Sequence, residues 1–402
     1  MLFQSLKHRW FALLWSGQTI SRLGDSLYRV ALAWWVLEKT GSATAMGTVL
    51  ICSMTPMLIF LLLGGVAVDR LPRLRLMIGS DLLRGIVAGA VAALAFAQLL
   101  EVWHIYVASV IFGFVDAFFE PAYVAAVPEI APREALPSAN SLTGLSRQVT
   151  GIVGPTLGAA IVALGGTPTA FALDAASFLI SAGCLLPIPA LPIVWADAHA
   201  EPSVLRDLRE GLGAVLASPW LWITIALAAL GNVTASGPLA VALPFLIKNS
   251  LHADVGALGL FGTMNSIGAV LGSLWLGRAA RLRRRGLIAY GGLLLGGIAV
   301  LICGLPVGLF GLALVALAFG FSMSAFGLVW MNTLQEMVPR ELMGRVSSID
   351  FLGSFVLLPF GYALAGWATD LLGPPPVFMI GGAASIVLAL LGLAHPNIRN
   401  LD

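Results

Sequence analysis

Apolar runs of about twenty residues follow one another along the whole chain, separated by short charged or Pro/Gly-rich breaks. They lie near 11–37, 43–68, 75–99, 103–127, 137–164 and 168–190, then near 219–247, 255–277, 286–306, 308–335, 342–370 and 375–394. A run of about 20 apolar residues is what an α-helix needs to cross the hydrocarbon core of a bilayer. Twelve such spans with their ends use most of the 402 residues, so no sizeable soluble domain fits. Composition points the same way: 10% of the residues are charged and 59% hydrophobic, whereas soluble domains carry roughly 25% charged residues. The 45 glycines suit membrane helices, which use Gly more freely than soluble ones. The expected fold class is all-α, membrane-integral, with twelve spans.

The loops alternate in charge. Lys7, Arg9, Arg70, Arg73, Arg75, Arg133, Arg206, Arg209, Arg278, Arg281, Arg283, Arg284, Arg285, Arg340, Arg345 and Arg399 fall in one set of loops and the termini. The opposite set holds only Lys39 and Lys248, while Arg22, Arg29, Arg84 and Arg147 lie within spans. Since Lys and Arg concentrate on the cytoplasmic side, both termini are expected in the cytoplasm, which requires an even number of crossings. A multi-pass protein of the inner or plasma membrane is expected. Lys7, His8 and Arg9 precede an apolar run that continues through Gln18 and Arg22 with no small-residue cleavage site, so the first span is expected to be retained. The net charge of +2 forms no clustered basic face, and no nucleic-acid partner is expected. Cys52, Cys184 and Cys303 lie far apart in apolar stretches, without CxxC spacing or a disulfide framework.

The longest polar stretch, 194–217, reads as an amphipathic cytoplasmic connector between two six-span halves, 1–193 and 218–402. Gly64-Gly65-Val66-Ala67-Val68-Asp69-Arg70-Leu71-Pro72-Arg73 aligns without gaps with Gly272-Ser273-Leu274-Trp275-Leu276-Gly277-Arg278-Ala279-Ala280-Arg281, each after the second span of its half. Val127-Pro128 after the fourth span matches Val338-Pro339 after the tenth. The same order at equivalent loops argues for duplication, a recurring architecture in transporters.

Gly65-x3-Asp69-Arg70-x2-Arg73 resembles the signature loop of the major facilitator superfamily, and the resemblance extends over the chain in span count, half repeat and central loop. Ser21-Arg22-Leu23-Gly24-Asp25, Ala117-Phe118-Phe119-Glu120-Pro121-Ala122, Ala139-Asn140-Ser141-Leu142 and Asp174-Ala175-Ala176-Ser177-Phe178 resemble its drug:proton antiporter branch, which includes macrolide efflux proteins and the enterobactin exporter. Gly154-Pro155-Thr156-Leu157-Gly158-Ala159 in the fifth span is similar to a Gly-Pro-x-x-Gly-Gly element of exporters, with Ala159 in place of a glycine. The fourth span lacks the basic residue many drug antiporters carry there, and Arg147 in the fifth is the candidate substitute. The resemblance implies that Asp69, with Arg70, Arg73 and Arg84 or Asp81 in support, latches the two halves near the amino end of the eleventh span. That span is expected to start just after Pro339, a residue favoured in a first helical turn. Gly277 holds the equivalent position in the second half and has no carboxylate.

A charge near the bilayer centre costs at least ~2.5–3.5 kcal/mol, so ionisable residues within spans mark either buried pairs or transport pathways. Arg22, Asp25 and Arg29 share one face of the first span at i, i+3 and i+7. Asp25 lies near its midpoint. It is expected to bind protons or to face a central cavity, the bland reading being an ion pair that fixes packing. Asp116 and Glu120 share a face of the fourth span, and Arg147 sits mid-span in the fifth. An Asp116–Arg147 pair is the structural reading; a proton relay through Asp25, Asp116 or Glu120 is the functional one.

The second half holds almost no central charge, with Glu336 and Asp350 expected nearer the cytoplasmic ends. Asn232, Met264, Phe326 and Trp330 are its candidate substrate-cavity residues, weighed against ordinary helix packing. No GxxxxGK[ST] loop is present, so ATP hydrolysis is not expected. His8, His104, His199, His252 and His395 are scattered without metal-ligand spacing, and no metal or other cofactor is expected. No GxSxG elbow appears. The chain is thus expected to be no enzyme but a monomeric secondary transporter in contact with membrane lipids, exporting amphipathic or lipophilic small molecules by alternating access, driven by proton entry. Lipid or lysophospholipid flipping and siderophore export are the alternatives within transport; a membrane-embedded enzyme is the alternative of another class.

Overall fold

A computed structural model describes residues 3–189, 204–278 and 283–401, without the side chains of 62, 65–70 and 204–208. All regular structure among the described residues is helical. The amino half begins with α1 (Arg9–Thr40), α2 (Ala43–Arg70), α3 (Arg73–Phe96) and α4 (Val102–Ile130). The helical stretch Leu136–Leu185 breaks at Gly166, with φ 76° and ψ 170°, into α5 (136–165) and α6 (167–185). Glycine reaches that φ without steric cost, and Pro168 then suits the first turn of α6.

The connector contains α7 (Val204–Ala217); residues 194–203 lie outside the described part. The carboxyl half holds α8 (Pro219–Val241), α9 (Val255–Gly277), α10 (Arg285–Cys303), α11 (Gly308–Met337), α12 (Met343–Leu372) and α13 (Pro374–Ala394). Ten described stretches are long and apolar enough to cross a membrane, one being the 133–185 stretch that Gly166 divides. With α1, 32 residues long, they are consistent with the expected twelve spans. Large apolar side chains such as Ile86 (66% exposed), Leu164 (91%) and Phe310 (78%) stand on the outer surface, as lipid-facing positions require.

The eleventh span does not begin just after Pro339. Val338 is extended and closes α11, as a residue before proline tends to be, and α12 starts at Met343. Pro339 is therefore no first-turn residue. Further along, α12 is interrupted at 356–357, where Pro359 offers no N–H to the carbonyl of Phe355.

Two compact units divide the chain. The first comprises Met1–Gly41, Thr48–Ala198 and Leu258–Thr263; the second comprises Ser42–Gly47, His199–Ala257 and Met264–Asp402. The first is built on Phe11, Leu14, Met77, Phe119 and Leu142, the second on Leu221, Val346, Tyr290 and Val329. The internal repeat extends to packing. Gly64 of α2 lies against the main-chain carbonyl of Ala117 in α4, where a Cβ would not fit. Its repeat equivalent Gly272, in α9, would place a Cβ 2.8 Å from the carbonyl oxygen of Phe321 in α11. Small residues at such crossings let helix backbones approach closely.

The first turn of α2 belongs to the second unit, and its exposed N–H groups are satisfied from far along the chain. Asp370, near the end of α12, accepts from the amides of Ala43 (2.6 Å) and Thr44 (2.9 Å) and from the hydroxyl of Ser42 (2.8 Å). Ser42 also accepts from Ala45 N at 3.3 Å, as a residue capping its own helix does. A carboxylate at a helix amino end meets both the unpaired donors and the partial positive charge. Loss of such a cap costs about 0.5–2 kcal/mol, and ~1.4 kcal/mol is tenfold in an equilibrium. Asp370→Ala is therefore expected to speed hydrogen exchange of the Ala43 and Thr44 amides by roughly tenfold, measured by mass spectrometry on peptides covering the start of α2.

Candidate functional site

Two groupings of polar and aromatic side chains stand out, one in each unit. In the first unit the centre is Arg84 on α3, only 5% exposed. Its Nη2 donates to Asp81 Oδ1 at 2.7 Å and its Nη1 to Asp116 Oδ1 on α4 at 3.2 Å. Phe119 and Phe178 cover the guanidinium, which lies 4.1 and 4.6 Å from their ring centroids. The second oxygen of Asp81 accepts from Ser181 on α6 (2.7 Å), and Ser181 in turn accepts from Gln18 on α1 (2.9 Å). A hydrogen-bonded chain thus crosses four helices: Gln18, Ser181, Asp81, Arg84 and Asp116.

This geometry corrects several sequence expectations. Asp116 pairs with Arg84; Arg147 is exposed and forms no ion pair among the described residues. Arg84 does not support the signature loop, because it is enclosed mid-helix with Asp81. Arg73 instead pairs with Glu129 at the end of α4. The side chains of Asp69 and Arg70, the core of the expected latch beside Gly65, lie outside the described residues, as does Arg281. Asp25 is half-buried and has no ion pair with Arg22 or Arg29 among the described residues. Arg22 lies 4.9 Å over the ring of Tyr123, and Arg29 is exposed. Asp25 still belongs to the cluster, since its charge, with those of Arg84, Glu120 and Arg29, acts on Asp116. Periodicity places side chains on a face of their own helix, and which neighbour that face meets depends on packing across elements.

The Gly154-Pro155-x2-Gly158 element is a contact surface. Gly154 lies against Ser26, and a Cβ on Gly158 would fall 3.2 Å from Leu27 Cα, so the two glycines seat α5 on α1. Pro155 packs on Gly259 and Gly262 in the first turns of α9. Nearby, the hydroxyls of Thr156 and Thr263 are 2.7 Å apart.

In the second unit a cavity of about 450 Å³ opens among α8, α10, α11, α12 and α13. Its aromatic wall includes Tyr290, Phe326 and Trp330, with Trp220 packed on Trp330 from behind. Phe326 and Trp330 stack in parallel with centroids 6.3 Å apart, and Tyr290 meets Phe326 edge-on at 6.5 Å. Polar groups are few. Asp350 accepts from Trp330 Nε1 at 3.0 Å, and Asn232 donates to the carbonyl of Ser354 at 2.9 Å, beside the interruption in α12. Asn232 opens a π-helical turn, 232–236, inside α8. Such turns often occur at functional positions, and this one aims Asn232 and Ser236 into the cavity.

Of the candidate cavity residues, Asn232, Phe326 and Trp330 line it and Met264 does not; Met323 and Met331 take that part. Asp350 is a cavity residue, which its expected place near a membrane end did not foretell. The sequence signal was a face of Ser347, Asp350, Phe351 and Ser354 at i, i+3, i+4 and i+7. A largely apolar cavity with a small number of placed polar groups is the usual form of a small-molecule site.

Twelve membrane-crossing helices in repeated halves, charged residues hydrogen-bonded inside one unit and an aromatic cavity in the other are the features of a secondary transporter. The chain belongs to the Major Facilitator Superfamily, whose family profile matches residues 14–349 and 225–398. It is 24% identical to macrolide efflux protein A of Streptococcus pyogenes over 98% of this chain and 97% of that protein. To the multidrug efflux pump Tap of Mycolicibacterium fortuitum it is 28% identical, over 94% of each chain. To the enterobactin exporter EntS of Citrobacter koseri it is 27% identical, over 96% of this chain and 91% of that one. The nucleoside transporter NupG shares the fold, with TM-score 0.77, 14% identity and coverage of 96% and 99%. A bacterial homologue of ferroportin does so with TM-score 0.73, 14% identity and coverage of 96% and 99%. The family is one of transporters, and the membrane-enzyme alternative falls away.

Aromatic pairs contribute about 0.5–1.5 kcal/mol beyond their buried area, which corresponds to roughly two- to tenfold in binding. Phe326→Ala and Trp330→Ala are expected to shift substrate preference by that factor while the pH dependence of transport stays unchanged. Uptake of a panel of chemically different substrates into vesicles checks this. Equal losses for every substrate, with poor expression, would identify packing residues instead.

Proposed function

We propose that this protein is a proton-coupled exporter of amphipathic small molecules, working as a monomer in the plasma membrane with both termini in the cytoplasm. The observation that carries the substrate class is the cavity in the second unit: an aromatic and aliphatic lining with Asp350 as its acid. Rings take up the apolar body of a ligand and also attract a cation over their faces. Asp350, held by Trp330, offers a carboxylate to a protonated amine. The similarity to macrolide and multidrug efflux proteins supports export. The concentration of Lys and Arg in one set of loops supports the orientation.

For the driving force, the carboxyl groups of Asp25, Asp116 and Glu120 in the first unit are the coupling groups, the proton gradient is the energy source, and no resident cofactor takes part. Arg22, Arg29 and Arg147 supply the surrounding positive charge. Similarity to an enterobactin exporter favours siderophore export as the second reading.

The experiment is uptake into inverted proteoliposomes with an acidified lumen, using ethidium, erythromycin, a catecholate siderophore and lysophosphatidylcholine. Ethidium and erythromycin are expected to accumulate only while the pH difference lasts. Transport of the siderophore or the lysolipid alone would move the assignment to those alternatives. Asp25→Asn is expected to abolish gradient-driven accumulation in a protein that still folds and inserts. Wild-type accumulation in that variant would make Asp25 structural. Asp350→Asn is expected to weaken binding of the cationic probes by about tenfold, equivalent to ~1.4 kcal/mol, with a much smaller effect on a neutral isostere.

A further inference from the structure

Most acids placed within spans have donors in this structure. Asp81 accepts from Arg84 and Ser181, Asp116 from Arg84, Asp350 from Trp330, and Asp370 from three groups at the start of α2. Asp174 on α6 differs. It is 1% exposed, and neither carboxyl oxygen has a hydrogen-bond partner among the described residues. The nearest hydroxyl, that of Ser177, has a single proton and donates it to the main-chain carbonyl of Asp174 at 2.8 Å. Tyr28 on α1 is close enough to feel the charge of Asp174, yet its buried hydroxyl is also without a partner.

Helix α1 seals the site. A Cβ on Gly24 would stand 2.7 Å from Asp174 Oδ1 and run into the side chain of Ser177, so glycine alone allows the two helices to close over the carboxyl group. The charged and titratable groups around it come from every neighbouring helix. Helix α1 gives Asp25, Tyr28 and Arg29, and α3 gives Arg84, itself held by Asp81 and by Asp116 of α4. Asp25, Arg84 and Arg29 are the charged groups near enough to influence Asp174, with the Ser177 hydroxyl beside it. None forms an ion pair with Asp174 among the described residues: Arg84 is committed to Asp81 and Asp116, and Arg29 is exposed. An ionised carboxylate enclosed without a donor is strongly disfavoured even after relaxation, whereas a neutral carboxylic acid meets only the smaller cost of a buried polar group.

We propose that Asp174, enclosed beneath Gly24, is an occupied proton-binding site: it holds its proton in the conformation of this structure and releases it when α1 withdraws. This rests on the proton-coupled reading above and adds the residue that carries the proton. On release the carboxyl O–H bond breaks heterolytically, the electron pair stays on Asp174, and the proton passes to the carboxylate of half-buried Asp25 and then to water. The ionised Asp174 then gains donors from Ser177, Tyr28 or a guanidinium that the movement of α1 brings into reach. Both stretches had a place in the sequence, in Ser21-Arg22-Leu23-Gly24-Asp25 and Asp174-Ala175-Ala176-Ser177-Phe178, and the structure sets them face to face.

The test is pH-difference infrared spectroscopy of the protein in lipid, without substrate. The wild type is expected to show the carbonyl stretch of a protonated carboxylic acid, shifted in D2O, which is absent from Asp174→Asn and persists in Asp116→Asn. An Asp174→Asn spectrum that keeps the wild-type band would overturn the proposal. Should that variant not be recovered from the membrane, Asp174→Glu decides: a displaced band supports Asp174 as its source, and an unmoved band refutes it. In the vesicle assay with ethidium, Asp174→Asn is expected to lose gradient-driven accumulation, Asp174→Glu to regain part of it, and Gly24→Val to lose it by displacing Asp174. Wild-type accumulation in Asp174→Asn would also refute the proposal. Failure of the wild type to move ethidium under a pH difference would instead count against the coupled-export reading, and the infrared band would still decide for Asp174.

Discussion

A guanidinium enclosed among helices tolerates very few arrangements of its neighbours, and Arg84 imposes that condition on the first unit. Its partners come from its own helix and from α4, its covering rings from α4 and α6, and the chain of hydrogen bonds continues through Ser181 to Gln18 on α1. Removing one partner of a buried pair costs about 3–5 kcal/mol, so the rotation of four helices is tied to one side chain. The helices can be apolar elsewhere and still find a single register. Arg84 is committed to Asp81 and Asp116 and donates nothing to Asp174. On our proposal this third carboxyl is satisfied by a proton instead of an arginine.

The second unit is organised on the opposite principle. No arginine stands at the centre of its cavity; stacked rings and a few neutral donors shape it. Rings packed on rings keep a void open because they are stiff, while Met323 and Met331 supply surfaces that can adjust to ligands of different outline. The irregularities in the backbone fall beside this void. The π-helical turn of α8 and the interruption of α12 meet where Asn232 donates to Ser354, so a main-chain carbonyl next to a helix break is satisfied by a side chain. Irregular backbone at membrane depth is tolerated where it lines such a cavity in the protein.

Much of the helical architecture was legible in the sequence because the bilayer sets it directly: the apolar runs correspond to the long apolar helices. Phe326, Trp330 and Asn232 could be named as candidates from residue type, and the packing of α8 and α11 around one void is what separates them from ordinary helix packing. Pairing was not legible. Arg84 reads equally well as an end-of-helix support and as a buried centre until the neighbours of α3 are known, and Asp116 had two arginines to choose between. The start of α12 was misplaced because proline serves both to open one helix and to close the previous one; the extended Val338 decides for closure. Met264 lies on α9, which contributes no residue to the lining of this cavity; residue type alone does not say which helices surround a void.

The cap on α2 has a bearing on how the chain is made. The donors of Ser42, Ala43 and Thr44 find their acceptor at Asp370, up to 328 positions later. A ribosome working from the amino end will have delivered α2 to the membrane well before Asp370 is synthesised, and through that interval the first turn of α2 must rely on water or headgroups for its amides. The helix is therefore finished late, when the eleventh span arrives. Truncation before that span would leave an early element incomplete at its amino end, so assembly at this point runs against the order of synthesis.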